Sequence, residues 1–279
     1  MRLEYSKRRW NGRGDFGGTK LSAAVIEAAA LTAPQRTWHG RLQRFSPPGA
    51  TAESDIRMMM EMGRELLVNV PIRQLFTEAF DAPVWVDNDA NVAALGEWRF
   101  GAGQGIADLL YVTVSTGVGG GWILDGRPYR GATGVAGEIG HMVVDPDGPL
   151  CLCGKRGCVE RLASGPYMAR DVALAFGMPL YDVSGKLVAE LAAEGVETAV
   201  AILERGAKSL GIGLGNAANL LNPSRIVLGG GITKSGKRWW QLVRQTAQET
   251  ALPEVQFDIV PAQLGDDAPL WGAVALTQL

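Results

Sequence analysis

Apolar residues fall into two kinds of run along this chain, and their spacing sets out its elements. Short, unbroken β-branched or aromatic stretches read as buried strands. These are PVWV (83–86), LLYVTVS (109–115) and RIVL (225–228), with LSAAVIE (21–27) a candidate strand and WIL (122–124) a further apolar stretch. Stretches with apolar positions three or four apart read as helices: a methionine-rich one over 56–68, then 90–98, 186–195, 197–221 and 237–251, with WGAVALTQL closing the chain. In the second, Val92, Leu95 and Trp98 fall near one face. Strands and helices alternate through much of the length, which predicts an α/β fold. Helix 197–221 contains Gly211, Gly213 and Gly215. Each costs about 1 kcal/mol against alanine, so close packing or a kink is expected there. Residues 27–55 carry neither period clearly, and no internal repeat is visible.

Bulk composition narrows the class. With 279 residues and 47% hydrophobic content, the chain can build one large or two modest cores. A net charge of -2 gives no reason to expect nucleic acid or a membrane surface as partner. No apolar run reaches the length of a membrane span. The N-terminus is basic but lacks the apolar segment of a secretory signal. The expected location is the cytoplasm.

Nine of the 37 glycines stand in three bunches, each adjoining a predicted strand. Gly17-Gly18 follows Asp15 and precedes Thr19 and Lys20. TGVGGG (116–121) follows LLYVTVS, and Gly229-Gly230-Gly231 follows RIVL. Such turns leave backbone N–H groups free to converge on an anion. Three of them suggest a nucleotide phosphate site, although neither a Walker loop nor a Rossmann fingerprint occurs. Asp15 adds a carboxylate where phosphates and Mg²⁺ would meet. Asp87-Asn88-Asp89 stands between a predicted strand and a helix. Asp89 is the candidate general base, and the Asn88 amide the candidate holder of a second substrate hydroxyl. The same position strongly favours a helix N-cap, which any of the three could supply.

All three cysteines lie in Cys151-Leu152-Cys153-Gly154-Lys155-Arg156-Gly157-Cys158, with His141 ten residues upstream. Three thiols cannot all pair as disulfides. Three thiolates and an imidazole do supply a closed tetrahedral Zn²⁺ site. Residues 145–165 are therefore expected to form a metal-stapled loop. Clustered thiols without disulfide spacing fit a reducing compartment. Arg127-Pro128-Tyr129-Arg130 reads as a solvated loop, and His39 as a surface or packing residue.

Together these motifs resemble the ROK family of repressors and sugar kinases, within the actin-like ATPase superfamily. The resemblance runs from about Pro71 to the C-terminus, with a separate piece at Asp15–Lys20. VDNDANVAALGE (86–97) is similar to the family's catalytic segment, TGVGGG to its second phosphate motif and RIVLGGG to its adenosine-side motif. Gly137-Glu138-Ile139-Gly140-His141 followed by the cysteine run and Glu160 matches the family signature.

The resemblance implies a two-lobed actin-like, ribonuclease H-like α/β fold with a zinc-stapled loop in the larger lobe. The smaller lobe would hold residues 1–88 and the larger 89–267, with the C-terminal helix of about 268–279 returning to the smaller lobe. It implies ATP-dependent phosphorylation of a hexose 6-hydroxyl, glucose first, with N-acetylmannosamine or another derivative as alternative. Asp89 would be the base, while Asn88, Glu138, His141 and Glu160 hold sugar hydroxyls. His141, Cys151, Cys153 and Cys158 would bind structural Zn²⁺. Asp15, Gly17, Gly18, Thr19, Lys20, Thr116 and Gly117 would surround the ATP phosphates and Mg²⁺, with Gly229 and Gly230 beside the adenosine. A homodimer or homotetramer is expected, with no nucleic-acid or membrane partner.

The chain departs from the family pattern in its N-terminal part. SKRRWNGRG (6–14) stands where an apolar strand is usual, and MMMEMGRELLVNVPIRQLF (58–76) passes almost directly into the catalytic segment. A strand and its glycine–proline loop are missing, so a shortened lobe is expected. That motivates a further alternative, a non-catalytic sugar-binding protein. A transcriptional regulator would need a helix-turn-helix domain before Asp15, where only fourteen residues stand.

Overall fold

The computed structural model describes residues 72–279, together with strands β1 (Ser22–Val25) and β2 (Gly40–Gln43). β1 and β2 pair antiparallel, so LSAAVIE does contain a strand. The expectations for Asp15, Gly17, Gly18, Thr19 and Lys20 lie outside the described residues, as do those for His39, for a helix over 56–68 and for a missing strand and loop.

From residue 72 the chain runs α1 (Ile72–Phe80), α2 (Asp89–Phe100), β3 (Leu109–Val114), β4 (Val118–Leu124) and β5 (Arg127–Tyr129). It continues through α3 (Val159–Ala163), α4 (Gly165–Phe176), α5 (Gly185–Ala193) and α6 (Glu197–Leu221). β6 (Arg225–Gly229), α7 (Lys237–Thr250), β7 (Asp258–Pro261) and α8 (Ala268–Leu276) complete it. Five strands form one mixed sheet in the order β5-β4-β3-β6-β7. β3, β4 and β5 make an antiparallel meander, while β6 and β7 join β3 in parallel. Parallel neighbours need crossovers, which α3–α6 and then α7 supply.

Side chains of β3 alternate between two covered faces. Leu109 and Tyr111 pack with Ala93, Ala94 and Ala268 from α2 and α8. Leu110, Val112 and Val114 pack with Met168, Val172, Leu210, Leu214 and Val243 from α4, α6 and α7. A strand buried on both faces must be apolar throughout, which is why LLYVTVS shows so little polar alternation. Each such buried side chain contributes about 1.5–3 kcal/mol.

α2 and α8 cross with their backbones in contact. A Cβ on Gly96 would overlap the Ala268 carbonyl oxygen, and one on Gly272 the Val92 carbonyl oxygen. At the end of α2, Glu97 is fully buried. Its carboxylate accepts backbone N–H bonds from Ala102 (2.8 Å), Gln263 (3.1 Å) and Leu264 (2.7 Å). A buried carboxylate is tolerated when so many donors meet it. Glu97 thereby ties the end of α2 to the segment leading into α8. α8 also touches β1.

The structure corrects two expectations. PVWV is not a strand, since residues 83–88 form no ladder and Trp85 and Val86 are 48% and 43% exposed. β propensity is realised only where a neighbouring strand is available, and no described strand adjoins it. Nor is 145–165 all loop, because α3 begins at Val159 and α4 at Gly165. The glycines of α6 do serve close packing: a Cβ on Gly211 would lie 2.7 Å from the Thr246 Cβ, and one on Gly215 2.6 Å from the Ala247 carbonyl oxygen, both on α7. Among the described residues no helix is long and apolar enough to cross a membrane.

Candidate active site

The turn into α2 separates the two competing uses of Asp87-Asn88-Asp89. Asn88 is the N-cap, its Oδ1 accepting from the backbone N–H groups of Ala90 (2.9 Å) and Asn91 (3.3 Å). Asp89 is the first helical residue and is exposed; its Oδ1 accepts the Ala90 N–H at 2.8 Å. Capping by Asn88 leaves Asp89 exposed on the first turn of the helix. Asp87 is the structural member of the three. Its Oδ1 accepts from the Asn88 N–H (2.9 Å) and from Asn91 Nδ2 (3.2 Å), and its Oδ2 from Arg130 Nε (2.6 Å). Arg130 is therefore not part of a merely solvated loop. Its partner lies 43 positions away, and spacing along the chain could not reveal it.

Two further carboxylates belong to the family signature. Glu138 is exposed and immediately precedes the short 3₁₀ turn Ile139–His141. Glu160, on the first turn of α3, is half-buried, and its Oε2 accepts the Val118 backbone N–H at 3.0 Å. Val118 opens β4 directly after the β3–β4 turn, which the Ser115 N–H to Gly117 carbonyl bond closes at 2.9 Å. A Cβ on Gly117 would come 2.8 Å from Glu160 Oε2. Glu160 thus sits directly against the turn that holds Thr116 and Gly117.

The expected phosphate role of the glycine clusters needs correction at one place. Gly119, Gly120 and Gly121 are residues of β4 and form no turn. Their lack of side chains admits α2, since a Cβ on Gly121 would lie 2.7 Å from the Ala94 Cβ. Only Thr116 and Gly117 are turn residues. At the C-terminal end of β6, Gly230 has φ +90, and a Cβ there would overlap the Val114 carbonyl oxygen. Gly229 abuts the Tyr111 hydroxyl. Beyond them, Thr233 Oγ1 donates to the Gly230 carbonyl (2.7 Å) and lines a cleft of about 440 Å³ with Lys234, Lys237, Trp240, Arg244 and Pro261.

The four expected metal ligands come together. Ligand atoms of His141, Cys151, Cys153 and Cys158 all lie within 4.8 Å of one another. Cys153 Sγ is 3.5 Å from Cys158 Sγ. His141 Nδ1 is buried without a hydrogen-bond partner among the described residues, as a ligand nitrogen would be. Gly157 has φ +60, and any Cβ there would overlap the Asp145 carbonyl oxygen, so only glycine lets the loop close on Cys158. Burial raises the Cys151 thiol and pushes the Cys158 thiol up to about 12, with the neighbouring sulfurs adding to the rise at Cys158. At Cys153 burial also acts upward, but the Lys155 backbone N–H and the neighbouring thiols bring it below its usual value. A divalent cation would reverse this logic and hold all three as thiolates. Outside the ligands, the Tyr167 hydroxyl accepts the Leu152 N–H at 3.0 Å.

The sheet order, two-sided helical cover and paired β1–β2 strands fit the actin-like kinase fold. The chain belongs to the ROK family, whose model matches residues 48–279. It is 40% identical over 221 residues to a glucokinase of Halalkalibacterium halodurans, covering 72% of this chain and 66% of that protein. It is 30% identical over 289 residues to an N-acetylmannosamine kinase of Escherichia fergusonii, covering 95% of this chain and 97% of that one. The crystal structure of a ROK family glucokinase from Streptomyces griseus, in complex with glucose and AMPPNP, superposes with a TM-score of 0.71 at 30% identity. That match covers 94% of this chain and 97% of the other.

Proposed function

We propose that this chain is an ATP-dependent hexose kinase that phosphorylates the 6-hydroxyl of glucose. The observation that carries the proposal is Asp89, freed from capping by Asn88 and exposed at the start of α2. A carboxylate there accepts the proton of the attacking hydroxyl. With its Oδ1 engaged in capping, Asn88 offers its amide N–H groups to a neighbouring hydroxyl. Glu138, His141 and Glu160 hold the remaining hydroxyls.

In-line phosphoryl transfer demands positioning and charge stabilisation more than covalent chemistry. Thr116 and Gly117 would present turn N–H groups to the phosphates, with Asp15, Gly17, Gly18, Thr19 and Lys20 opposite, and Mg²⁺ neutralising the developing charge. Gly229 and Gly230 would adjoin the adenosine, and the cationic cleft at Lys234, Lys237 and Arg244 would receive its outer part. His141, Cys151, Cys153 and Cys158 would hold structural Zn²⁺, which fixes the loop between Glu138 and Glu160; four protein ligands leave no position for substrate. The lobes would divide at 1–88 and 89–267, with α8 returning to the first, and two or four copies would assemble in the cytoplasm.

The full-length alignment with an N-acetylmannosamine kinase supports a second reading, in which the accepted hexose carries a 2-acetamido group. Product identification tests both. Incubation with ATP and each sugar should give glucose 6-phosphate, seen by ³¹P NMR, at the higher kcat/KM. A higher value for N-acetylmannosamine would select the second reading, and no phosphorylated sugar would reject both.

A further inference from the structure

We propose that Arg130 is a positioning residue that sets Asp89 against Glu138; the inference rests on the kinase reading above. The Asp87–Asn91 turn is tied mainly to itself. Asn88 caps α2, and Asp87 Oδ1 takes the Asn88 N–H and Asn91 Nδ2. The side-chain tie that leaves this turn, among the described residues, is the 2.6 Å bond from Arg130 Nε to Asp87 Oδ2. The Asp87 side chain is only 11% exposed and that of Arg130 is 37% exposed, so the pair is shielded from solvent on one side.

Arg130 also belongs to the other half of the site. It directly follows β5, and its carbonyl accepts the Ala136 N–H at 3.1 Å, closing the loop 130–136. Gly137, at φ +101, then packs against the Gly120 carbonyl oxygen and delivers Glu138. One guanidinium is thus anchored in the loop that presents Glu138 and bonded to the turn that presents Asp89. Neither carboxylate touches Arg130, so the residue acts through the placement of both. Misplacing reacting groups by about 1 Å can cost about a hundredfold in rate. A lysine would keep the charge but cannot reproduce a guanidinium Nε bond at this position.

The test compares wild type with Arg130→Ala, Arg130→Lys and, as control, Arg127→Ala at the exposed neighbouring arginine. For Arg130→Ala the expected result is a loss in kcat of about 10- to 100-fold with KM for ATP unchanged. Added guanidinium should partly restore the rate, Arg130→Lys should recover less than half of it, and Arg127→Ala should match wild type. Amide exchange read at residues 88–91 should quicken in Arg130→Ala while exchange in β3 and β6 stays protected. Full activity with unchanged exchange at 88–91, or a uniform loss of protection across the sheet, would overturn the inference. Should wild type phosphorylate no hexose, the kinase reading fails, and exchange at 88–91 alone decides the Arg130 link.

Discussion

Glu160 Oε2 accepts a hydrogen bond from the Val118 backbone N–H at 3.0 Å, across 42 positions of sequence. The bond joins α3, which follows directly on the cysteine loop, to the β3–β4 turn that carries Thr116 and Gly117. One oxygen of this carboxylate is spent on the protein, and the proposed kinase function assigns the other to a sugar hydroxyl. Glu160→Gln removes the charge while keeping the shape. A drop in kcat/KM for sugar of about tenfold or more is expected, from the lost charge-assisted bond. Because the turn shares this anchor, KM for ATP should rise too. Steady-state assays varying each substrate in turn check both effects.

The cysteine cluster predicts one tightly bound zinc per chain, measurable by metal analysis of the purified protein. Cys158→Ser or His141→Ala should lower the stoichiometry below one and loosen the loop. Since burial holds the Cys158 thiol near 12 without metal, binding must release protons, and zinc affinity should fall as pH falls. Competition with a chromogenic chelator at several pH values checks the sign.

Crossing of α2 and α8 leaves no room for a methyl group. Gly272→Ala would force a Cβ into the Val92 carbonyl oxygen, and a loss of about 1–3 kcal/mol or more is expected. Urea melts would read it directly. The neighbouring Ala273 is only partly buried, and Ala273→Gly there should cost about 1 kcal/mol, from helix propensity alone.

Alkaline stability follows from two tyrosines. Burial raises Tyr111 well above its ordinary value of 10.0 and pushes Tyr167 up to about 12. The folded protein therefore holds these protons more tightly than the unfolded chain. Their contribution is complete below about pH 10 and is lost as pH rises from there through 12. Tyrosinate absorbance should show two late-titrating groups, and Tm should fall over the same range.

Much of the sheet was legible because β3 and β6 are buried on both faces and read as unbroken apolar runs. The clustering of His141 with the three cysteines was legible because the four residues lie within eighteen positions. PVWV misled because its local propensity says nothing about whether a partner strand adjoins it. TGVGGG misled differently: a glycine admitting a neighbouring helix looks in sequence like one that cradles an anion. Arg130 and Glu97 were missed for a third reason. Arg130 finds its partner, and Glu97 two of its three partners, far along the chain, and Glu97 lies in a helix whose residues 90–97 are all buried, so no polar face betrayed it.

The central claim is that Asp89 takes the proton of a hexose 6-hydroxyl during transfer from ATP. The direct measurement is ADP release over a panel of hexoses by wild type and Asp89→Asn, both zinc-loaded and folded by their melting curves. Wild type should turn over glucose, and Asp89→Asn should lose about 10²- to 10⁴-fold in kcat while glucose still binds. No turnover of any hexose by wild type, or undiminished turnover by Asp89→Asn, would contradict the account.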